Sequence, residues 1–180
     1  MSYRILRDYH AVHDSGHRRF EDIRHLILHD MEMTLYKQAA EAVGRYFEMG
    51  SSGGSTHYGV DNDSIQQYLP IDEVCWGAPN ANFDGVHIEQ MGRADWTNAE
   101  WKRKAAGTLD RTAWLLARLS KRLGIPLTKL TDTQLRNNAK GVTTHRAVTR
   151  VLGGGTHTDP GTGYPFDYVL RKARAYKAQM

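Results

Sequence analysis

Residues 23–28, Ile-Arg-His-Leu-Ile-Leu, form a short apolar run closed by His29-Asp30. The run reads as a buried strand with a polar side chain at its C-terminal end. That points to the α/β class, where binding sites gather at the C-terminal ends of strands. Residues 86–90, Val-His-Ile-Glu-Gln, alternate as a second strand, with Ile88 on one face and His87 and Glu89 on the other. A carboxylate in an apolar strand is costly unless paired or functional, which singles out Glu89. His25 reads as a structural or surface histidine. Asp30 and Glu32 read as loop or supporting groups.

The remaining elements follow from spacing. Ala39, Ala40, Val43, Tyr46 and Phe47 predict a helix over 37–49, stopped by Gly50 and a flexible 51–55 loop. Residues 56–60 and 65–69 flank Asp61-Asn62-Asp63-Ser64 as a hairpin. Thr97 and Glu100 make a capping box for one helix over 97–123, with Trp101, Ala105, Leu109, Thr112, Leu116, Leu119 and Leu123 on its core face. Its Lys and Arg residues read as a solvated surface. Thr131 with Gln134 caps a short helix, and a last helix spans about 166–177. Residues 1–22 read as an irregular or partly helical lead-in and 23–180 as a single domain, long enough for a real core. His10, His13 and His17 would share a face if that lead-in were helical, but Asp14-Ser15-Gly16 argues against it.

Several classes are excluded or weakened. No run of about 18 apolar residues is present to span a membrane. The polar N-terminus lacks the apolar core of a secretory signal. The single cysteine, Cys75, leaves no internal disulfide framework. A net charge of +4 suits anionic partners such as wall polymers or nucleic acid, and equally simple solubility. The phosphate-loop, dinucleotide-binding and His-Glu-x-x-His patterns are absent.

The stretch 141–167 carries the clearest chemistry. A β-branched run ends on His145, a Gly-rich loop follows, and then comes His157-Thr158-Asp159-Pro160-Gly161. Imidazole and carboxylate both bind zinc, and three protein ligands leave one position open for water. The spacing alone is equally compatible with a solvated loop holding two ordinary histidines.

Thr144-His145-Arg146, His157-Thr158-Asp159-Pro160-Gly161 and Pro165-Phe166-Asp167 resemble, in order, the C-terminal metal motif of zinc-dependent N-acetylmuramoyl-L-alanine amidases. These are the type-2 amidases related to peptidoglycan recognition proteins, and the resemblance covers roughly residues 23–170. It implies a central mixed β-sheet flanked by helices, with a zinc site in a surface groove. It implies one Zn2+ per chain held by His29, His145 and Asp159, and Glu89 as the catalytic base. His157 stands where relatives often carry lysine and would stabilise the oxyanion. His57 falls in a family strand pattern as a structural or substrate-lining residue. Trp76 would line the substrate groove, or else pack in the core. Two departures stand out: Thr56 replaces a tyrosine that is functional in some relatives, and Gly77 replaces the histidine of a Trp-His-Ala-Gly segment.

The implied reaction cuts the amide between N-acetylmuramic acid and L-alanine in bacterial peptidoglycan. The lead-in and the segment Ile-Glu-Gln-Met-Gly-Arg-Ala-Asp-Trp look most like lysins of phages that infect actinobacteria. Such a lysin would be a monomer made in the host cytoplasm, released by a holin-type route, with no membrane or nucleic-acid partner. Two rivals are a non-catalytic peptidoglycan-recognition module and a basic nucleic-acid-binding domain. The first typically lacks a zinc ligand, and the second would cluster its basic residues with exposed aromatics.

Overall fold

The computed structural model describes residues 2–180. In chain order the elements are β1 (Asp14–His17), β2 (His25–Leu28), α1 (Ala39–Phe47), β3 (Tyr58–Val60), β4 (Ile65–Gln67), β5 (Glu73–Cys75), β6 (Gly85–Gln90), α2 (Asn98–Lys104), α3 (Ala106–Leu123), α4 (Asp132–Arg136), β7 (Gly141–Thr144), α5 (His145–Leu152) and α6 (Phe166–Lys177). Five strands form a mixed sheet in the order β4-β3-β6-β2-β7. β2 is parallel to β6 and β7, and β3 is parallel to β6, while β4 closes the expected hairpin antiparallel to β3.

Strand alternation divides the apolar side chains between the two faces of the sheet. Leu26, Leu28, Val86, Ile88, Tyr58 and Val60 join Trp101, Leu109, Leu116 and Leu170 of α2, α3 and α6. Ile27 instead packs with Ala78, Ala81, Leu130, Leu135 and Val148, beneath α4 and α5. Gly59 faces α1: a Cβ there would strike the hydroxyl of Tyr68, which donates to the Ala40 carbonyl at 2.5 Å. Burying each Leu or Ile side chain fully contributes about 1.5–3 kcal/mol. Covered on both faces, the central strands can carry function only at their ends.

The predicted 97–123 helix is two helices. All seven residues of its apolar face are buried, but the axis breaks at Ala105 (φ −117°, ψ 30°). The side chain of Asn62, from the β3–β4 turn, fills the break. Its Nδ2 donates to the Lys104 carbonyl at 3.0 Å, and its Oδ1 accepts the Thr108 N–H at 2.9 Å. An inserted side chain that satisfies the freed backbone groups is a recognised cause of a kink.

The lead-in has a 3-10 turn at Phe20–Asp22 but is not helical over His10–His17, so the three-histidine face does not form. Asp14 Oδ1 accepts the Gly16 N–H at 2.7 Å, and Gly16 turns at φ +82°. β1 then pairs antiparallel with β5, and Leu6 bridges Gln66. Arg18 is buried and donates to the carbonyls of Ile71, Asn82 and Phe83, tying this segment to two loops. A further helix replaces loop after β7: Thr144 caps α5 by accepting the Ala147 N–H at 3.2 Å, so His145 opens a helix rather than ending a strand.

Candidate metal centre

Parallel register builds the site. Leu28 of β2 lies level with Ile88 of β6 and with Thr144 of β7. The next residue on each path is therefore His29, Glu89 and His145, side by side at the C-terminal ends of three neighbouring strands. Neighbouring strands lie about 4.8 Å apart, so the three side chains must meet. Asp159 comes from the loop after α5, anchored where the Arg146 N–H donates to the Asp159 carbonyl at 2.8 Å.

The donor atoms converge. His29 Nδ1 lies 3.2 Å from Asp159 Oδ2, and His145 Nδ1 lies 3.1 Å from Asp159 Oδ1. One ligand atom each from His29, His145 and Asp159 falls within 4.8 Å of the others. Donors bound about 2.0–2.2 Å from one tetrahedral zinc ion would lie about 3.3–3.6 Å apart. The donor set and spacing therefore fit such an ion. Glu89 Oε1 stands 3.9 Å from His29 Nδ1, and its Oε2 is buried without a hydrogen-bond partner.

Charge explains the rest of the arrangement. Burial alone would raise Asp159, but hydrogen bonds from His145 and His29 hold its carboxyl well below the usual range. Burial lowers His29, against the pull of Asp159. Burial, then the neighbouring Asp159 and Asp30, push Glu89 well above an ordinary carboxyl. Burial raises Asp30 to about 7, opposed by the Glu32 N–H that it accepts at 2.9 Å.

The cluster opens into a groove of about 850 Å³, lined by Glu89, Asp30, Trp76, Ser15 and His157 among others. Trp76 is 42% exposed and is not a core residue. Its indole N–H donates to Ser15 Oγ at 2.8 Å, and His13 stacks on its ring at 4.6 Å. His157 stacks on His145 at 4.0 Å, its Nδ1 3.7 Å from Asp159 Oδ1.

His57 does not reach the groove, so its place as a substrate-binding residue is corrected to a structural one. It is 0% exposed. Its Nδ1 accepts the His87 N–H at 3.1 Å, and its Nε2–H donates to the Glu73 carbonyl at 3.0 Å beside the Arg18 guanidinium. Burial, then Arg18, lower it to about 3. Sequence reading missed Ser15 and His13, because their segment carried no strand signal strong enough to place it beside the groove. His25 is buried, 3.5 Å from Asp84, on the structural side of the expectation.

Comparison with known proteins gives a consistent picture. A family model described as N-acetylmuramoyl-L-alanine amidase matches residues 19–162. Protein Ami of Listeria monocytogenes is 30% identical over an alignment of 142 residues that covers 74% of this chain and 14% of that protein. The chain thus spans only 14% of that relative's length. Among solved structures, the Staphylococcus aureus hydrolase AmiA, in complex with its ligand, superposes with a TM-score of 0.76 at 19% identity, covering 98% of this chain and 84% of that one. A mutant endolysin from Bacillus subtilis gives 0.60 at 21% identity, covering 98% of both chains. These structures share the mixed sheet flanked by helices. Among the described residues no helix is long and apolar enough to cross a membrane.

Proposed function

The chain belongs to the N-acetylmuramoyl-L-alanine amidase family, and on that premise we propose that it hydrolyses the amide joining the lactyl group of N-acetylmuramic acid to L-alanine, using one Zn2+ held by His29, His145 and Asp159. The observation that carries this reading is the meeting of those three donors beside the unpartnered carboxyl of Glu89, in an open groove. Bound there, the ion would polarise the scissile carbonyl and lower the pKa of its water to about 7.

This chain's residues do the remaining work. Glu89 takes the proton of the attacking water and delivers it to the leaving amine. Its free Oε2 leaves an acceptor for that proton. His157, on the groove side of His145, donates to the developing oxyanion. Trp76, held flat by Ser15 and His13, gives the substrate an apolar wall. Residues 23–180 act as the catalytic domain, with Ser15 of the lead-in on one groove wall. Bacterial peptidoglycan is the substrate, and the biological role is lysis of a host wall by a phage, after holin-type release from the cytoplasm. The complete donor set with its glutamate favours an enzyme over a recognition module.

The test is mass spectrometry of peptidoglycan digested by the protein, by a chelator-treated sample and by Glu89→Ala. Free stem peptides with new L-alanine amino termini, absent from both controls, are expected. Glycan-chain fragments, or release that survives both controls, would overturn the mechanism.

A further inference from the structure

A second histidine shell lies behind the metal centre. His29 Nδ1 faces Asp159, while its other nitrogen, Nε2, lies 2.9 Å from His87 Nδ1. His87 Nε2 in turn lies 3.2 Å from the carbonyl oxygen of Ala81. A carbonyl can only accept, so His87 must carry its proton on Nε2. His87 Nδ1 is then bare and can only accept, so the proton between the rings belongs to His29 Nε2. That leaves Nδ1, which faces the Asp159 carboxylate at 3.2 Å, as the nitrogen that gives up its proton when a metal takes its lone pair. Every hydrogen bond along Ala81, His87 and His29 runs in one direction, and the last atom of the chain is the metal-facing nitrogen.

The surroundings are built to hold this ring. His87 is wholly buried, and its backbone N–H is also taken, by His57 Nδ1. A Cβ at position 77 would lie 2.5 Å from His87 Nδ1, and one at position 85 would lie 2.8 Å from His87 Nε2. Gly77 and Gly85 therefore leave open the slot that the imidazole occupies. The missing side chain at position 77 makes room for the histidine behind His29.

We propose that His87 is a positioning residue, which receives the Nε2–H of His29 and so fixes the tautomer and ring orientation in which His29 offers Nδ1 to the metal. This rests on the metal reading above. Outer-shell partners of metal-binding histidines typically carry 10–100-fold in affinity.

The test uses the full 180-residue chain and its His87→Leu and His87→Asn variants. Leucine fills the slot without an acceptor, whereas the asparagine oxygen reaches the place of the imidazole Nδ1. Zinc affinity is read by competition with a chromophoric chelator, and the His29 tautomer by imidazole nitrogen NMR of the metal-free protein. Expected are a roughly 10–100-fold loss of affinity in His87→Leu, with the His29 proton no longer held on Nε2. His87→Asn should keep both close to the parent. Equal affinity and tautomer in His87→Leu would overturn the proposal, and so would an asparagine variant as impaired as the leucine one. If His87→Leu does not fold, the parent decides: His29 without a proton on Nε2 in the metal-free state contradicts the proposal. A parent that binds no zinc would sink the metal reading instead, leaving the tautomer to judge this one.

Discussion

Glu89 and His157 touch the reacting atoms in this account from opposite sides of the metal ligands, and each has its own signature. Glu89→Gln keeps shape but cannot accept the water's proton, so kcat should fall by about 10²–10⁴-fold with metal content unchanged. Steady-state kinetics with metal analysis checks both halves. His157→Ala removes an oxyanion donor, so kcat should fall by about 10²-fold while KM moves little. A loss confined to KM would make His157 a binding residue. His57 makes a prediction about stability. Its folded pKa of about 3 lies below the unfolded 6.5, so the unfolded chain binds the extra proton. Its stabilising effect is full above pH 6.5 and lost as pH falls through the window toward 3, by up to roughly 1.4 kcal/mol per unit. Urea unfolding of metal-free protein between pH 6.5 and 4 should show this slope, flattened in His57→Asn. An identical slope in both would place the titration elsewhere.

Elements position these residues through register and through side chains that enter the backbone. The join of α2 and α3 depends on Asn62, which satisfies Lys104 and Thr108 together. Asn62→Ala should cost about 1–3 kcal/mol by stranding both groups, measurable by chemical denaturation, with zinc affinity unaffected because Asn62 bonds to α2 and α3 and not to the donor residues. The helix pair was legible in sequence as one stripe, because burial of Trp101, Leu109 and Leu116 obeys helical spacing on either side of the kink. The kink was not, since it is made by a residue some 40 positions earlier in the chain. Similarly, His145 stood out by residue type, but α5 was hidden behind the Gly-rich reading of the stretch. The cap at Thr144 and the Val148 packing were its available signals. His29, Glu89 and His145 are adjacent only through parallel pairing. Local pattern finds each strand, whereas their register came from resemblance and then from the structure. The lead-in failed for a related reason: β1 exists by pairing with β5, a contact that sequence periodicity over four residues cannot carry.

At the scale of the whole molecule, apolar clusters cover both faces of the sheet and leave one open end, where the groove and the donor cluster lie. A site assembled from three strands and a distant loop couples metal binding to the folded state. Zinc at 100 times its Kd should stabilise the fold by about 2.7 kcal/mol. Chelation should therefore lower Tm by about 5–10 °C in a chain of this size. Calorimetry with and without chelator checks this, and His145→Ala should abolish the difference. The most direct measurement is anomalous diffraction at the zinc edge from crystals of the protein grown with zinc. One peak per chain is expected, bounded by His29 Nδ1, His145 Nδ1 and an Asp159 oxygen, with Glu89 beside it. A groove without a peak, or a peak held by other residues, would contradict the proposed metal site.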